Sequence, residues 1–190
     1  MISLHERASA HMQALHATIA AHEHDIQALA ATMAAAFASN HRVFFFGNGG
    51  SACDAMHIAG EFVGRFVNDR RALPAIALTA DSGILTAVAN DYSYDVIFAR
   101  QLEALCRRGD TAIGLSTSGS SPSVLRALET AEKIGASTVL FTGEKGRGVA
   151  CGSALKIIVP THITAHIQEV HMFVLHTLAA MVEHILKIDG

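Results

Sequence analysis

Apolar positions along this chain follow two alternating rhythms. Between Ser3 and Ser39 the sequence is Ala-rich, free of Gly and Pro, and places Ile19, Ile26, Leu29, Met33 and Phe37 at helical spacing, which predicts one or two helices. Arg42–Phe46 is then a short run of β-favouring apolar residues ending at Gly47, the pattern of a strand buried on both faces. A helix is expected from Ser51 to Phe66. The alternation recurs, with strand-like runs at Ala75–Thr79, Thr111–Ser116, Ser137–Thr142 and Leu155–Val159, helical stretches between them, and a last helix from about Ala165 to Lys187. Strands separated by crossover helices cannot be hairpins, so an α/β fold is expected. Its five strands form a mostly parallel sheet with right-handed connections and helices on both faces. No repeat, low-complexity segment or Pro/Gly linker interrupts residues 1–190, so one domain is expected, with residues 1–40 as a helical extension.

Composition narrows the class. Hydrophobic residues make up 51% of the 190 and charged residues 16%, enough apolar surface for a sizeable core and too much for a disordered chain. The net charge of −3 provides no overall positive field for nucleic acid. The most apolar stretches, Ala28–Ala38 and Met172–Leu186, are interrupted by Thr32 and by His176, Glu183 and His184. Neither reaches the ~20 apolar residues of a membrane span. Met1–Ala10 carries His5, Glu6 and Arg7 and does not read as a secretory signal, so a cytoplasmic protein is expected. Cys53, Cys106 and Cys151, odd in number and widely spaced, read as reduced, small core residues.

In an open α/β sheet ligands bind beyond the carboxyl ends of the strands, which directs attention to the loops after Phe46, Thr79 and Ser116. The first is Gly47-Asn48-Gly49-Gly50-Ser51-Ala52, where glycines let backbone N–H groups turn toward an anion at a helix N-terminus. It also fits the G-x-G-x-x-A dinucleotide fingerprint, with Asp81 after the next strand, and equally a plain tight turn. The third, Ser116-Thr117-Ser118-Gly119-Ser120-Ser121, precedes a helix opening near Pro122 and gathers hydroxyls and amides into a cradle for a phosphate monoester. His57 and Glu61, four apart on one helix, face the same side; they read either as a site pair or as a surface ion pair. His176, inside an apolar stretch, needs a partner to offset its desolvation. His5, His11, His16, His22, His24 and His41, of twelve histidines in all, read as mostly solvated.

Gly47–His57 (GNGGSACDAMH), Glu61–Phe66 (EFVGRF), Ala89-Asn90-Asp91, Ser116–Ser121 (STSGSS) and Ile167-Gln168-Glu169 resemble, in that order and over nearly the whole chain, the phosphoheptose isomerases of the sugar isomerase (SIS) superfamily. The resemblance implies a three-layer αβα sandwich, a homotetramer in which the N-terminal extension packs, and active sites where subunits meet. It implies an aldose-ketose isomerase interconverting sedoheptulose 7-phosphate and D-glycero-D-manno-heptose 7-phosphate, the first step toward the ADP-heptose of lipopolysaccharide core. Asn48, Gly49, Gly50, Ser51, Glu61, Asn90, Asp91 and Gln168 fall on substrate positions, and Ser116, Thr117, Ser118 and Ser121 on phosphate-holding ones. His57, Glu61, Gln168 and His176 fall on zinc positions, one ion per subunit, with Glu61 and His176 also on acid/base positions.

That chemistry stands on its own terms. Moving a carbonyl between C2 and C1 requires removal of a carbon-bound proton, stabilisation of an enediolate and return of a proton to the neighbouring carbon. A carboxylate and an imidazole are suitable carriers, and zinc would act as a Lewis acid on the oxyanion. Gln168 and His176 are ~12 Å apart along an uninterrupted helix, so one metal reaches both only if Gln168 swings inward at a helix start or another subunit completes the set. Gln is also a weak zinc ligand, which favours a labile site. Ala165-His166 depart from the acidic and basic pair of some family members, and His166 reads as a solvated loop residue. The competing readings are a non-enzymatic SIS adaptor, resembling the relative that binds the replication initiator DnaA, and an NAD-dependent dehydrogenase. The first lacks the matching Glu and His; the second leaves STSGSS unexplained.

Overall fold

A computed structural model describes residues 3–186. The N-terminal pattern forms a single helix, α1 (Leu4–Ala38), capped by Ser3, whose hydroxyl accepts from the Glu6 N–H at 3.3 Å. With no Gly or Pro inside, nothing breaks it before Ser39 and Asn40, the latter in left-handed backbone at φ 61°. The chain continues through β1 (Val43–Gly47), α2 (Gly50–Val63), β2 (Ala75–Ala77), α3 (Ser82–Asp91), α4 (Ala99–Leu105), β3 (Thr111–Ser116), α5 (Pro122–Ile134), β4 (Ser137–Gly143), β5 (Leu155–Val159) and α6 (Thr164–Ile185). Short 3-10 turns lie at Tyr94–Val96 and Glu144–Gly146. All five strands are parallel, in the order β2-β1-β3-β4-β5.

The alternation of side chains across the sheet assigns the layers. Phe45, Ile113, Leu115, Phe141 and Val159 face α1, α2 and α6 in one buried cluster, and Phe44, Phe46, Ala112 and Leu140 face α4 and α5 in another. This is the expected αβα sandwich, and the sheet is wholly rather than mostly parallel. β1 and β3 are buried throughout because each has a strand on both sides and a helix layer on both faces, the physical origin of their continuous apolar runs. From β1 the sheet grows outward in both directions, so α2 and α5 diverge onto opposite faces and leave a crevice at the carboxyl ends of β1 and β3. A ligand is expected there.

Several expectations are corrected. α2 stops at Val63, before Gly64, so Phe66 lies in the following loop. β2 is only three residues long, and Lys187, expected in the last helix, lies outside the described residues. Cys53 is exposed rather than core, because its position on α2 faces away from the sheet; Cys106 is buried, and that burial pushes its thiol up to about 11. All three cysteines are free. Among the N-terminal histidines, His22 is structural: its Nε2 accepts from the Ile158 N–H at 3.2 Å and its Nδ1 lies 3.0 Å from Asp25. His166 is buried in the first turn of α6, its ring edge-on to that of His11 with centroids 5.6 Å apart. It is not a solvated loop residue, since α1 covers it. No helix among the described residues is long and apolar enough to cross a membrane.

Candidate active site

The turn between β1 and α2 is shaped by what little room the sheet leaves. A Cβ on Gly47 would stand 2.7 Å from the Leu115 carbonyl oxygen of β3, so only Gly lets the strands stay paired to this point. Asn48 is held from two sides: its amide donates to Ser123 Oγ at 3.0 Å, and Tyr94 Oη donates to its side-chain oxygen at 2.9 Å. Tyr94 carried no signal in the sequence beyond a lone aromatic, yet it braces a predicted substrate residue. Gly49 adopts φ +59° and N-caps α2 without a side chain, and the Ser51 and Ala52 N–H groups turn back onto the Asn48 and Gly49 carbonyls at 3.1 and 3.0 Å. Ser51 is buried in the turn.

The serine turn follows β3, one strand over. Ser116 Oγ lies 3.0 Å from Ser121 Oγ and 3.5 Å from Ser118 Oγ, while Ser118 Oγ accepts from the Ser120 N–H at 3.2 Å and from the Ser120 hydroxyl at 3.1 Å. Ser121 occupies the N-cap of α5 with Pro122 behind it, but its hydroxyl makes no capping bond to the helix. That leaves a converging set of hydroxyls and a helix N-terminus turned to one point, which suits a tetrahedral oxyanion. Thr117 is half-buried beside them.

A third group forms where α2 meets α6. His57 Nε2 lies 3.3 Å from Glu61 Oε1 and 3.3 Å from His176 Nε2, and one ligand atom from each of the three residues falls within 4.8 Å of the others. The pair predicted from i, i+4 spacing thus gains its third member from a residue 119 positions away. His176 is half-buried, its imidazole stacked on Phe66 with centroids 5.5 Å apart. Two imidazole nitrogens turned toward each other and toward a carboxylate fit a divalent d-block cation such as zinc, for which N and O donors of this kind are the usual ligands. His171, one turn and a half earlier on α6, is unlike His176: burial pushes it down to about 4, so it is neutral, packed edge-on against Phe141.

The remaining predicted residues are placed as follows. Gln168 lies against the start of α2, where a Cβ on Gly50 would come 2.5 Å from its Nε2. Gly50 precedes His57 by seven helical residues, ~10 Å along the axis, so within one chain Gln168 sits with the glycine turn rather than with His57 and Glu61. Asn90 and Asp91 end α3, exposed, with the Asn90 amide donating to Asp91 at 2.8 Å. Asp54, one turn before His57, is raised to about 6 by burial, an effect His57 opposes, and one of its oxygens is buried without a hydrogen-bond partner. Sequence reasoning also passed over Arg70 and Glu183. Their buried pair, Nε to Oε1 at 2.8 Å, ties the loop after α2 to α6.

The comparisons with known proteins agree with this geometry. The family model described as the SIS domain matches residues 8–143. The phosphoheptose isomerase of Aquifex aeolicus is 51% identical over 158 residues, covering 83% of this chain and 83% of that protein. Among solved structures, a phosphoheptose isomerase from Francisella tularensis matches with a TM-score of 0.88 at 31% identity, over 97% of this chain and all (100%) of that one. The enzyme from Neisseria gonorrhoeae matches at 0.79 and 32%, over 96% and 100%. On fold, on turn geometry and on identity over most of its length, this chain belongs to the SIS-domain family and, within it, to the phosphoheptose isomerases.

Proposed function

We propose that this chain interconverts sedoheptulose 7-phosphate and D-glycero-D-manno-heptose 7-phosphate through an enediolate, the step that opens ADP-heptose synthesis for lipopolysaccharide core, in the cytoplasm. The observation that carries the reading is the convergence of Glu61, His57 and His176 from two helices, on a chain whose serine turn gathers four hydroxyls. The adaptor and dehydrogenase readings give that convergence no task.

In this reading Ser116, Thr117, Ser118 and Ser121 grip the phosphate, and the turn at Asn48–Ser51, with Asn90, Asp91 and Gln168, orients the sugar. Glu61 and His176 then move protons: one takes the proton from C1 beside the carbonyl and returns it to C2, and the other shifts a proton from the C1 oxygen's side to the C2 oxygen's side of the enediolate as it forms and collapses, with the reverse course from the aldose. Zinc held by His57, Glu61 and His176 would supply Lewis-acid stabilisation of the oxyanion. A carboxylate engaged by a cation is a poorer base, so the roles of ligand and proton carrier compete at Glu61.

The working unit in this reading is a homotetramer whose sites are completed between subunits. Two features support it. Along α2, Glu61 lies eleven residues from Gly50, ~16 Å, so the proton carriers and the glycine turn of one chain are well separated. Met56, Val63 and Phe173, on the helices that carry the trio, are 41%, 50% and 44% exposed, apolar side chains that a neighbouring subunit would cover. The test is a coupled assay with sedoheptulose 7-phosphate before and after chelator treatment. Appearance of the aldose product supports isomerisation, and its absence at saturating substrate refutes it. Activity lost to chelator and restored by zinc supports the metal, and full activity after chelation refutes it.

A further inference from the structure

The phosphate cradle as described consists of neutral hydroxyls and amides, yet a cation stands at its edge. The 3-10 turn Glu144–Gly146 after β4 is locked to the serine turn. The Gly143 N–H donates to the Thr117 carbonyl at 3.1 Å, and the Glu144 N–H donates to the Thr161 carbonyl at 3.3 Å. Gly119, at φ +70°, and Gly146 lie back to back, so close that a Cβ on Gly119 would stand 2.4 Å from Gly146 Cα. This fixes the base of Lys145 relative to Ser118. Glu144, the acid beside it, is already taken: Arg147 donates to both of its oxygens at 2.7 Å through Nε and Nη2. Lys145 has no hydrogen-bond or ion-pair partner among the described residues. It lines a small pocket together with Thr117, Ser118, Thr161, His162, Thr164 and Ile167.

We propose that Lys145 is a further phosphate-binding residue of this enzyme, supplying the positive charge that the serine turn lacks and setting its preference for a doubly charged phosphate ester. The inference rests on the sugar-phosphate reading of the serine turn and adds a residue to it. An ammonium on a flexible stem pairs with phosphate as a point charge. Because Lys145 is solvent-exposed, its effect is moderate and sensitive to salt.

The test compares wild type with Lys145→Ala and Lys145→Arg, reading KM for sedoheptulose 7-phosphate and competitive inhibition by inorganic phosphate. Lys145→Ala is expected to raise both constants about threefold to tenfold, with more of the loss in KM than in kcat, and Lys145→Arg to recover most of it. Raising the ionic strength from 0.05 to 0.5 M should bring wild type toward Lys145→Ala, because screening removes what the substitution removes; a packing role would show no such convergence. Equal KM and equal phosphate inhibition in wild type and Lys145→Ala at low salt would overturn the assignment while leaving the isomerase reading intact. A wild-type protein that neither turns over the ketose phosphate nor responds to inorganic phosphate would refute the serine-turn reading and the Lys145 role with it.

Discussion

Replacing Glu183 by Gln tests how the two helices that bring His57, Glu61 and His176 together are held. Glu183, on α6 two turns beyond His176, is 2% exposed as a side chain, as is Arg70. Its Oε1 accepts from the Phe66 N–H at 3.2 Å and from Arg70 Nε at 2.8 Å; its Oε2 accepts from the Val67 and Asn68 N–H groups at 3.2 and 3.3 Å. Arg70 in turn donates to the Glu61 and Phe62 carbonyls at 2.8 and 2.7 Å, closing the last turn of α2 beside Glu61. The Phe66 that this clamp positions is the ring stacked on His176. Gln would turn an amide NH2 toward backbone donors and leave the guanidinium buried without its counter-charge. Breaking such a pair costs about 3–5 kcal/mol, which at about 2–4 °C per kcal/mol for a chain of this size is a fall in Tm of about 6–20 °C. The pH dependence carries a sign. Burial alone would raise the Glu183 pKa, but the Arg70 bond and three backbone N–H bonds outweigh it and hold the carboxyl below the usual range. The pair's contribution is therefore complete above the unfolded glutamate value, near 4.3, and is lost as pH falls below it through the folded value. Thermal and urea unfolding of both proteins, at matched concentration, should show a stability gap that is flat from about pH 6 to 8 and narrows below about pH 4. A gap under about 1 kcal/mol at pH 7, or one that persists undiminished into acid, would refute the account of a charged clamp.

Glu61→Gln is expected to leave the fold intact, since Glu61 is half-buried and, among the described residues, bonded at its side chain only to the partly exposed His57, and to abolish isomerisation in the coupled assay. Near-normal turnover would remove Glu61 as a proton carrier. Ser118→Ala deletes one hydroxyl of the cradle and should weaken sugar-phosphate binding by about 1.5–3 kcal/mol, the worth of one hydrogen bond to a charged group; calorimetry showing unchanged affinity would place the phosphate elsewhere.

Much of the framework was legible because its causes are local. The limits of β3 and β5 coincide with their apolar runs, and β1 reads as continuous hydrophobicity because both of its faces are covered. The serine turn declared itself by placing hydroxyls between a strand and Pro122, and His57 with Glu61 by spacing that any α-helix converts into one face. Where the sequence misled, the missing information lay on another element. Phe66 belongs to a loop because Gly64 ends the helix three residues early, at Val63, and His166 is buried because α1 happens to cross it. Glu183 looked like an interruption of an apolar stretch until Arg70 was found against it. Lys145 gave no signal at all, since its relation to Ser118 depends on two glycines meeting from different turns.

The sequence by itself determined the helices, the strands and the chemical types at each turn, because periodicity and turn chemistry act over a few residues. Tertiary structure alone decided the strand order, the approach of His176 to His57 across 119 positions, and which buried charges found partners. Those follow from covering apolar faces and neutralising desolvated groups, conditions that bind residues by distance in space rather than along the chain.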